Sequence, residues 1–251
     1  IKPLIEPNET GRYEDVNSYT RKIIYITKKD YKNDTPSLIK HLKPFKAIMN
    51  DRRENRNGRL KYFHLHWPRD NSFFEEGAKV LSIRKCSKPS FTYTTNEIYV
   101  MMAFNIIKTK RIDLKFLTAV LNSSLIEFWL RNKGKLQGNQ FQIDKEPLLE
   151  IPLINVDGFD TFNIVTDYIL FLNNSSIENM SGKLMVSYFD QIINGMVYEI
   201  YFPDLLKKHN REIIKHLREL PEFKKGMSDD EKMKICKDVY GRLSSPGHKV
   251  K

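Results

Sequence analysis

The side chains in this sequence that could do chemistry form four groups, and each group implies its own kind of partner. Between Lys40 and Arg69 stand nine cations (Lys40, Lys43, Lys46, Arg52, Arg53, Arg56, Arg59, Lys61 and Arg69) against only Asp51 and Glu54. Clustered cations gain affinity for a polyanion by releasing its counterions, and arginine adds bidentate bonds to phosphates or guanine edges. Tyr62, Phe63 and Trp67 lie among the last of these charges, as aromatics do on nucleic-acid-binding surfaces. A solvated charged face is the competing reading. The second group is the polar segment Asn132 to Gln140, where Lys133, Lys135, Gln137, Asn139 and Gln140 sit on a backbone loosened by Gly134 and Gly138. A side-chain amide offers the donor and acceptor that adenine presents together in the major groove, although an ordinary polar connection uses the same residues. A third patch, Arg84, Lys85 and Lys88, falls between two expected strands and reads as further anion contacts or as a charged turn.

The fourth group is acidic. Pro203-Asp204 followed by Glu222-Phe223-Lys224 has the two carboxylates and lysine that hold a metal and activate water in a family of nucleases, which makes a metal-dependent DNA nuclease the alternative function. In those nucleases the second carboxylate and the lysine share a strand, whereas here they follow Leu220-Pro221 between helices. His64 and His66 alternate along an expected strand and would face the same way, but no third ligand stands at a recognisable spacing, so no metal site is expected. The sequence contains no Gly-x-Gly, no Pro-Pro pair, no P-loop and no Gly-x-Ser-x-Gly. No catalytic residues are therefore assigned.

The elements that must position these groups follow from periodicity. Arg21 to Thr27 reads as a strand, and Pro36 to Arg53 as helix interrupted at Pro44, which lacks the donor a helix interior needs but suits a first turn. Lys79 to Ile83, Phe91 to Thr95 and Glu97 to Ile107 read as three strands, rich in Val, Ile, Tyr and Phe. Asp113 is the expected N-cap of one helix to about Arg131, with Leu114, Leu117, Leu121, Leu125 and Phe128 on one face. Pro147 to Ile154 returns to buried chain. Helical periodicity then runs through Phe159 to Leu172, Met180 to Tyr201, Asp204 to Leu220 and Asp229 to Tyr240, with Ser228 and Glu231 forming a capping box. The reading is an α+β protein: a mixed β-sheet domain over residues 1–156, then a helical region over 157–251.

Charge follows the same division. Residues 1–150 hold 28 Lys and Arg against 17 Asp and Glu, whereas 151–251 hold 14 of each, so the whole net charge of +11 belongs to the first part. Such asymmetry favours a nucleic-acid partner, and no basic amphipathic helix suggests a membrane surface. The longest apolar stretch, Ile98 to Phe104, falls far short of the roughly 20 residues of a membrane helix, and no secretory signal opens the sequence. Two cysteines 150 positions apart fit a reducing cytoplasm rather than a disulfide scaffold. Ile1 in place of methionine reads as part of a longer chain.

Four stretches in order carry a resemblance. They are Pro36 to Arg53, then Trp67-Pro-Arg69 with Glu76-Gly-Ala-Lys-Val-Leu81, then Phe116 to Trp129 with its Leu121-Asn-Ser-Ser124, and then Leu148-Leu-Glu-Ile-Pro-Leu153. This order resembles the TaqI-like C-terminal specificity domain of type IIG restriction-modification enzymes, and Phe189 to Phe202 resembles the helical tail of the same enzymes. The resemblance implies a double-stranded DNA partner and a parent chain that methylates adenine N6 with S-adenosylmethionine. It further implies an N-terminal methyltransferase domain, in some members preceded by a Mg2+-dependent nuclease. The expected DNA contacts are Arg52, Arg53, Arg56, Arg59, Lys61, Arg69, Arg84, Lys85, Lys133, Lys135, Gln137, Asn139 and Gln140. Leu121, Asn122 and Ser123 are assigned to packing. A type I specificity subunit would hold two such units, and the sequence shows one.

Overall fold

A computed structural model describes residues 1–14, 16, 19–29, 36–154, 158–174 and 180–250. In chain order the elements are β1 (Lys2–Ile5), β2 (Arg21–Ile23), α1 (Pro36–Leu42), α2 (Lys46–Asn50), α3 (Arg53–Arg56), β3 (Lys79–Ile83), β4 (Lys85–Cys86), β5 (Phe91–Thr94), β6 (Tyr99–Val100) and β7 (Phe104–Ile107). They continue with α4 (Leu114–Leu121), α5 (Ser124–Lys133), β8 (Lys135–Gln137), β9 (Gln140–Gln142), α6 (Lys145–Leu149), α7 (Asp160–Asn174), α8 (Met180–Tyr201), α9 (Pro203–Lys208) and α10 (Asp229–Ser244). The fold is α+β, with the strands in three small mixed or antiparallel sheets.

The central strand β3 pairs antiparallel with β5 and with β7. Its continuation passes through Arg84 into β4, which joins β9 and β8 in a second sheet, so one stretch of chain serves two sheets. Arg84 marks the crossing: its amide donates to the Ala103 carbonyl at 2.8 Å and its carbonyl accepts from Ile143 at 2.7 Å. The third sheet places β1 between an antiparallel β2 and a parallel β6. The expected strand over Glu97 to Ile107 is thus two strands in different sheets, parted at Met101 and Met102, which are both exposed. The break lets Tyr99 pack on Phe74 while Phe104 faces the β3 core.

Pro44 breaks the first helix as expected, through a 3-10 turn over Lys43–Phe45. The expected single helix to Arg131 is instead two. Asp113 caps α4, accepting from the amides of Lys115 and Phe116 at 2.9 Å, but the helix ends at Leu121 and Ser123 caps a new one. The cause is tertiary. The buried Asn122 amide accepts from the Phe91 amide at 3.0 Å and donates to the Phe91 carbonyl at 2.8 Å, completing the edge of β5 as another strand would. After this bend Phe128 no longer shares the apolar face and is exposed. The helical stretch expected over Asp204 to Leu220 shrinks to α9, followed by irregular chain with a 3-10 turn at Ile214–His216. The Ser228 and Glu231 capping box opens α10 as expected.

One hydrophobic cluster runs through Val80, Phe91, the buried faces of α4 and α5, and then α7, α8 and α10. Residues 155–157, where the expected boundary after 156 falls, lie outside the described residues. The cluster nevertheless joins elements from both sides of that position, and Arg12 reinforces the union by donating to the Asn122 carbonyl and to Asp190 on α8. Among the described residues no helix is long and apolar enough to cross a membrane. Cys86 and Cys236 are free, and burial pushes their thiols up to about 11 and about 12.

Candidate nucleic-acid interface

The basic residues stand on an arm with a small hydrophobic cluster of its own, Ile26, Leu42 and Phe63. Within it Arg52 turns inward. Its guanidinium donates to the carbonyls of Met49 at 2.9 Å, Tyr62 at 2.6 Å and His64 at 3.1 Å, tying the end of α2 to the chain that follows α3. This clamp is why residues 61–67 form turns rather than the expected strand. His64 is buried, where its Nδ1 accepts from the Lys61 amide and burial lowers its pKa, while His66 is exposed and 4.0 Å from Glu54. The two imidazoles do not form a metal pair, and among the described residues no group of three His, Cys, Asp or Glu does so.

Arg53, Arg56 and Arg59 point outward. Arg56 makes one long ion pair, 3.9 Å to the exposed Asp51, and Arg59 another, 3.6 Å to Glu54, with about two thirds or more of each arginine side chain in solvent. Exposed pairs of that length leave the guanidinium available to a phosphate. Lys61 is exposed above the Phe63 ring.

From Arg59 the cations follow one another toward the second expected reading element. Arg59 and Arg69 line the same cavity of about 590 Å³, and Arg69 also lines a second of about 840 Å³ against Phe104 and Leu148. The Arg69 guanidinium donates to the Phe104 carbonyl at 2.7 Å, and burial and then the nearby Arg84 charge lower its pKa. Arg84 in turn pairs with Asp144 at 2.8 Å, and Lys135 approaches the same carboxylate at 3.8 Å. The hydrogen bond from Arg84, then that from Gln142, holds Asp144 below the usual carboxylate range. Lys85 is exposed in β4 beside them.

Lys135 begins a β-hairpin, not the loop expected over Asn132 to Gln140. Gln137 pairs with Gln140 across a two-residue turn of Gly138 and Asn139, and Gly138 has φ +61, which explains glycine at the tip. Gln137, Asn139 and Gln140 are exposed there, and Lys133 lies 5.9 Å from the Trp129 ring at the base. Arg59 and Arg69 thus share a cavity, Arg69 lies near Arg84, and Arg84 and Lys135 meet at Asp144 at the start of the amide-tipped hairpin. The structure assigns Arg52 to the interior of the arm. Sequence reasoning passed over Lys108, Arg111 and Lys145, which line the larger cavity, because they are scattered along the chain rather than run together.

Asp204, Glu222 and Lys224 do not stand as the nuclease pattern requires. Asp204 is in the first turn of α9, while Glu222 and Lys224 flank Phe223, whose ring packs on Tyr168 and Phe171. No strand carries them, and the nuclease alternative loses its geometric basis.

Residues 18–153 match the family model described as the TaqI-like C-terminal specificity domain, which is more than half of the chain. The chain belongs to this family. The specificity domain so defined ends at residue 153, so α7 to α10 lie beyond the match. Among curated proteins it is similar to the type II methyltransferase M.HincII of Haemophilus influenzae, 25% identical over 118 residues that make up 42% of this chain and 23% of the relative. It is equally similar to the type II methyltransferase M.HindII of Haemophilus influenzae strain Rd, 25% identical over 118 residues covering 42% of this chain and 22% of the relative. The chain thus spans about a quarter of these relatives' length. Among solved structures, the type IIL restriction-modification enzyme MmeI in complex with DNA superimposes on 84% of this chain and 27% of its own, with a TM-score of 0.48 and 12% identity.

Proposed function

We propose that this specificity domain recognises a sequence in double-stranded DNA on behalf of a restriction-modification methyltransferase acting on adenine N6, whose catalytic part lies in another portion of the parent polypeptide. The observation that carries the proposal is the run of cations from Arg59 through Arg69 and Arg84 to Lys135, ending at exposed amides on the hairpin tip. Cations in such a row follow a phosphate backbone and fix register, while Gln137, Asn139 and Gln140 are the chemistry that reads base edges. S-adenosylmethionine, and Mg2+ where a nuclease accompanies the methylase, would be held by the catalytic part. This chain has neither Gly-x-Gly nor Pro-Pro, so its residues offer S-adenosylmethionine no glycine loop to hold it. The fit of such a soluble reader is to the cytoplasm, where its DNA would be.

Selection from a pool of randomised duplexes tests the reading. The chain is expected to enrich one shared sequence, and Gln137→Ala with Gln140→Ala is expected to change the enriched bases by about 5- to 150-fold in preference while random-sequence affinity changes little. Uniform loss on every sequence would remove the hairpin from base recognition.

A further inference from the structure

The cavity beside Arg59 has a construction that phosphate binding does not require. Trp67 on its wall is 72% exposed, and its backbone sits at φ +60, a left-handed conformation that a bulky residue adopts only under constraint from its surroundings. Strain of this kind concentrates at sites where a side chain must be presented in one direction. Leu60, Leu65 and Pro68 supply apolar wall. Glu54 also lines the cavity and is itself buried to 9% exposure. Among the described residues its carboxylate is approached by Arg59 at 3.6 Å and His66 at 4.0 Å, both beyond hydrogen-bonding distance, which leaves it acceptor capacity for a group in the cavity. Lys28, Lys29, Arg59 and Arg69 also line it, with Asp70 among them. The combination is a large exposed ring, partly apolar walls around about 590 Å³, one buried carboxylate and four cations lining the same cavity.

We propose that this cavity receives one unstacked nucleobase of the bound duplex, stacked on Trp67, with Glu54 accepting from an N–H on its exposed edge and the surrounding cations meeting its flanking phosphates. The proposal rests on the DNA-binding reading above. A carboxylate is acceptor-only, so Glu54 takes an N–H from whichever base enters, the ring N–H of thymine included, and any preference for adenine comes from the larger surface that a purine stacks on Trp67. A base stacked on an aromatic side chain gains on the order of 5- to 100-fold in affinity, and a base that is already unpaired pays least to leave the helix.

The test uses the whole chain and three duplexes of one sequence: fully paired, with a single bulged adenine, and with a single bulged thymine. The bulged-adenine duplex is expected to bind about 5-fold or more tighter than the paired one, and tighter than the bulged thymine. Trp67→Ala is expected to bring all three to equal affinity with the salt dependence of the paired duplex retained, Trp67→Phe to keep most of the preference, and Glu54→Leu to weaken both bulged duplexes while leaving the paired one unchanged. In a Trp129→Phe background Trp67 is the sole tryptophan, and its fluorescence is expected to be quenched more by the bulged adenine than by the paired duplex. Salt-dependent binding of the paired duplex with no bulge preference, or a preference that survives Trp67→Ala, overturns the base pocket and leaves the DNA reading standing. Failure to bind any duplex overturns both.

Discussion

The arm and the body of this molecule use their side chains in opposite ways. The arm, residues 36–71, buries only Leu42, Phe63, Glu54 and His64, while Phe45, Ile48 and Trp67 and most of its cations face solvent. In the body, α7 and α8 bury Val165, Tyr168, Ile169, Phe189, Ile193 and Val197 without residual exposure, and residues 151–251 carry equal numbers of cations and carboxylates. Burial of that kind supplies the folding free energy, at about 25 cal/mol per Å² of apolar surface removed from water. The difference teaches that the body holds the fold so that the arm need not, which frees the arm's residues for a partner. Two adjacent residues repeat the contrast on a small scale: Arg52 is tied to three carbonyls, and Arg53 beside it is exposed.

The contrast can be broken first where it is strongest. Phe189→Ala, in the centre of α8 against Tyr168, is expected to cost about 3–5 kcal/mol in chemical denaturation, because a fully buried ring leaves a cavity that close-packed neighbours fill poorly. Duplex affinity of the protein that remains folded should be unchanged. Loss of binding at equal folded fraction would mean that the body contacts DNA.

The next effect is in β3. Lys79 is wholly buried, its amine donates to the Asn96 carbonyl at 2.6 Å, and burial pushes its pKa down from 10.5 to about 8. Between about pH 8 and 10.5 the unfolded chain keeps a proton that the folded chain has released, so stability rises with pH across that window, and the cost of burying the charge is fully present below it. The rise should amount to no more than about 3 kcal/mol and should be absent from Lys79→Met, as followed by melting temperature against pH. Equal pH slopes in the two proteins would show that Lys79 is not desolvated.

Arg52→Ala sharpens the division within the arm. Removing hydrogen bonds from a charged donor to three carbonyls is expected to cost about 2 kcal/mol or somewhat more, and Arg52→Lys should not restore it, since an ammonium cannot reproduce the planar fork. Hydrogen exchange should quicken at residues 49–64 while α7 and α8 stay protected. A variant with wild-type stability and weaker DNA binding would return Arg52 to the phosphate contacts.

Local signals carried much of this architecture. Pro44 told of a helix break, Asp113 and Ser228 of helix starts, and the β-branched run at Lys79 to Ile83 of the central strand, because each acts through its own backbone neighbours. What escaped depends on distant partners. The bend at Asn122 exists because a strand edge 31 residues away needs closing, and the turns at residues 61–67 exist because Arg52 collects their carbonyls. The same limit applies to the site. Charge counting marked the arm, and the glycines marked the hairpin tip, whereas the left-handed backbone at Trp67, the open acceptor of Glu54 and the nearness of Arg69 to Arg84 arise only when separate segments meet.

The central claim is that the arm's outward arginines serve a polyanion and not the fold. The dependence of duplex affinity on salt concentration, measured for the wild-type chain and for Arg53→Ala with Arg56→Ala, tests it most directly. The slope of log affinity against log salt is expected to fall by about 1.8, from about 0.9 per lost phosphate contact, while unfolding free energy stays within about 0.5 kcal/mol of wild type. An unchanged slope, or a loss of stability comparable to that of Arg52→Ala, would contradict it.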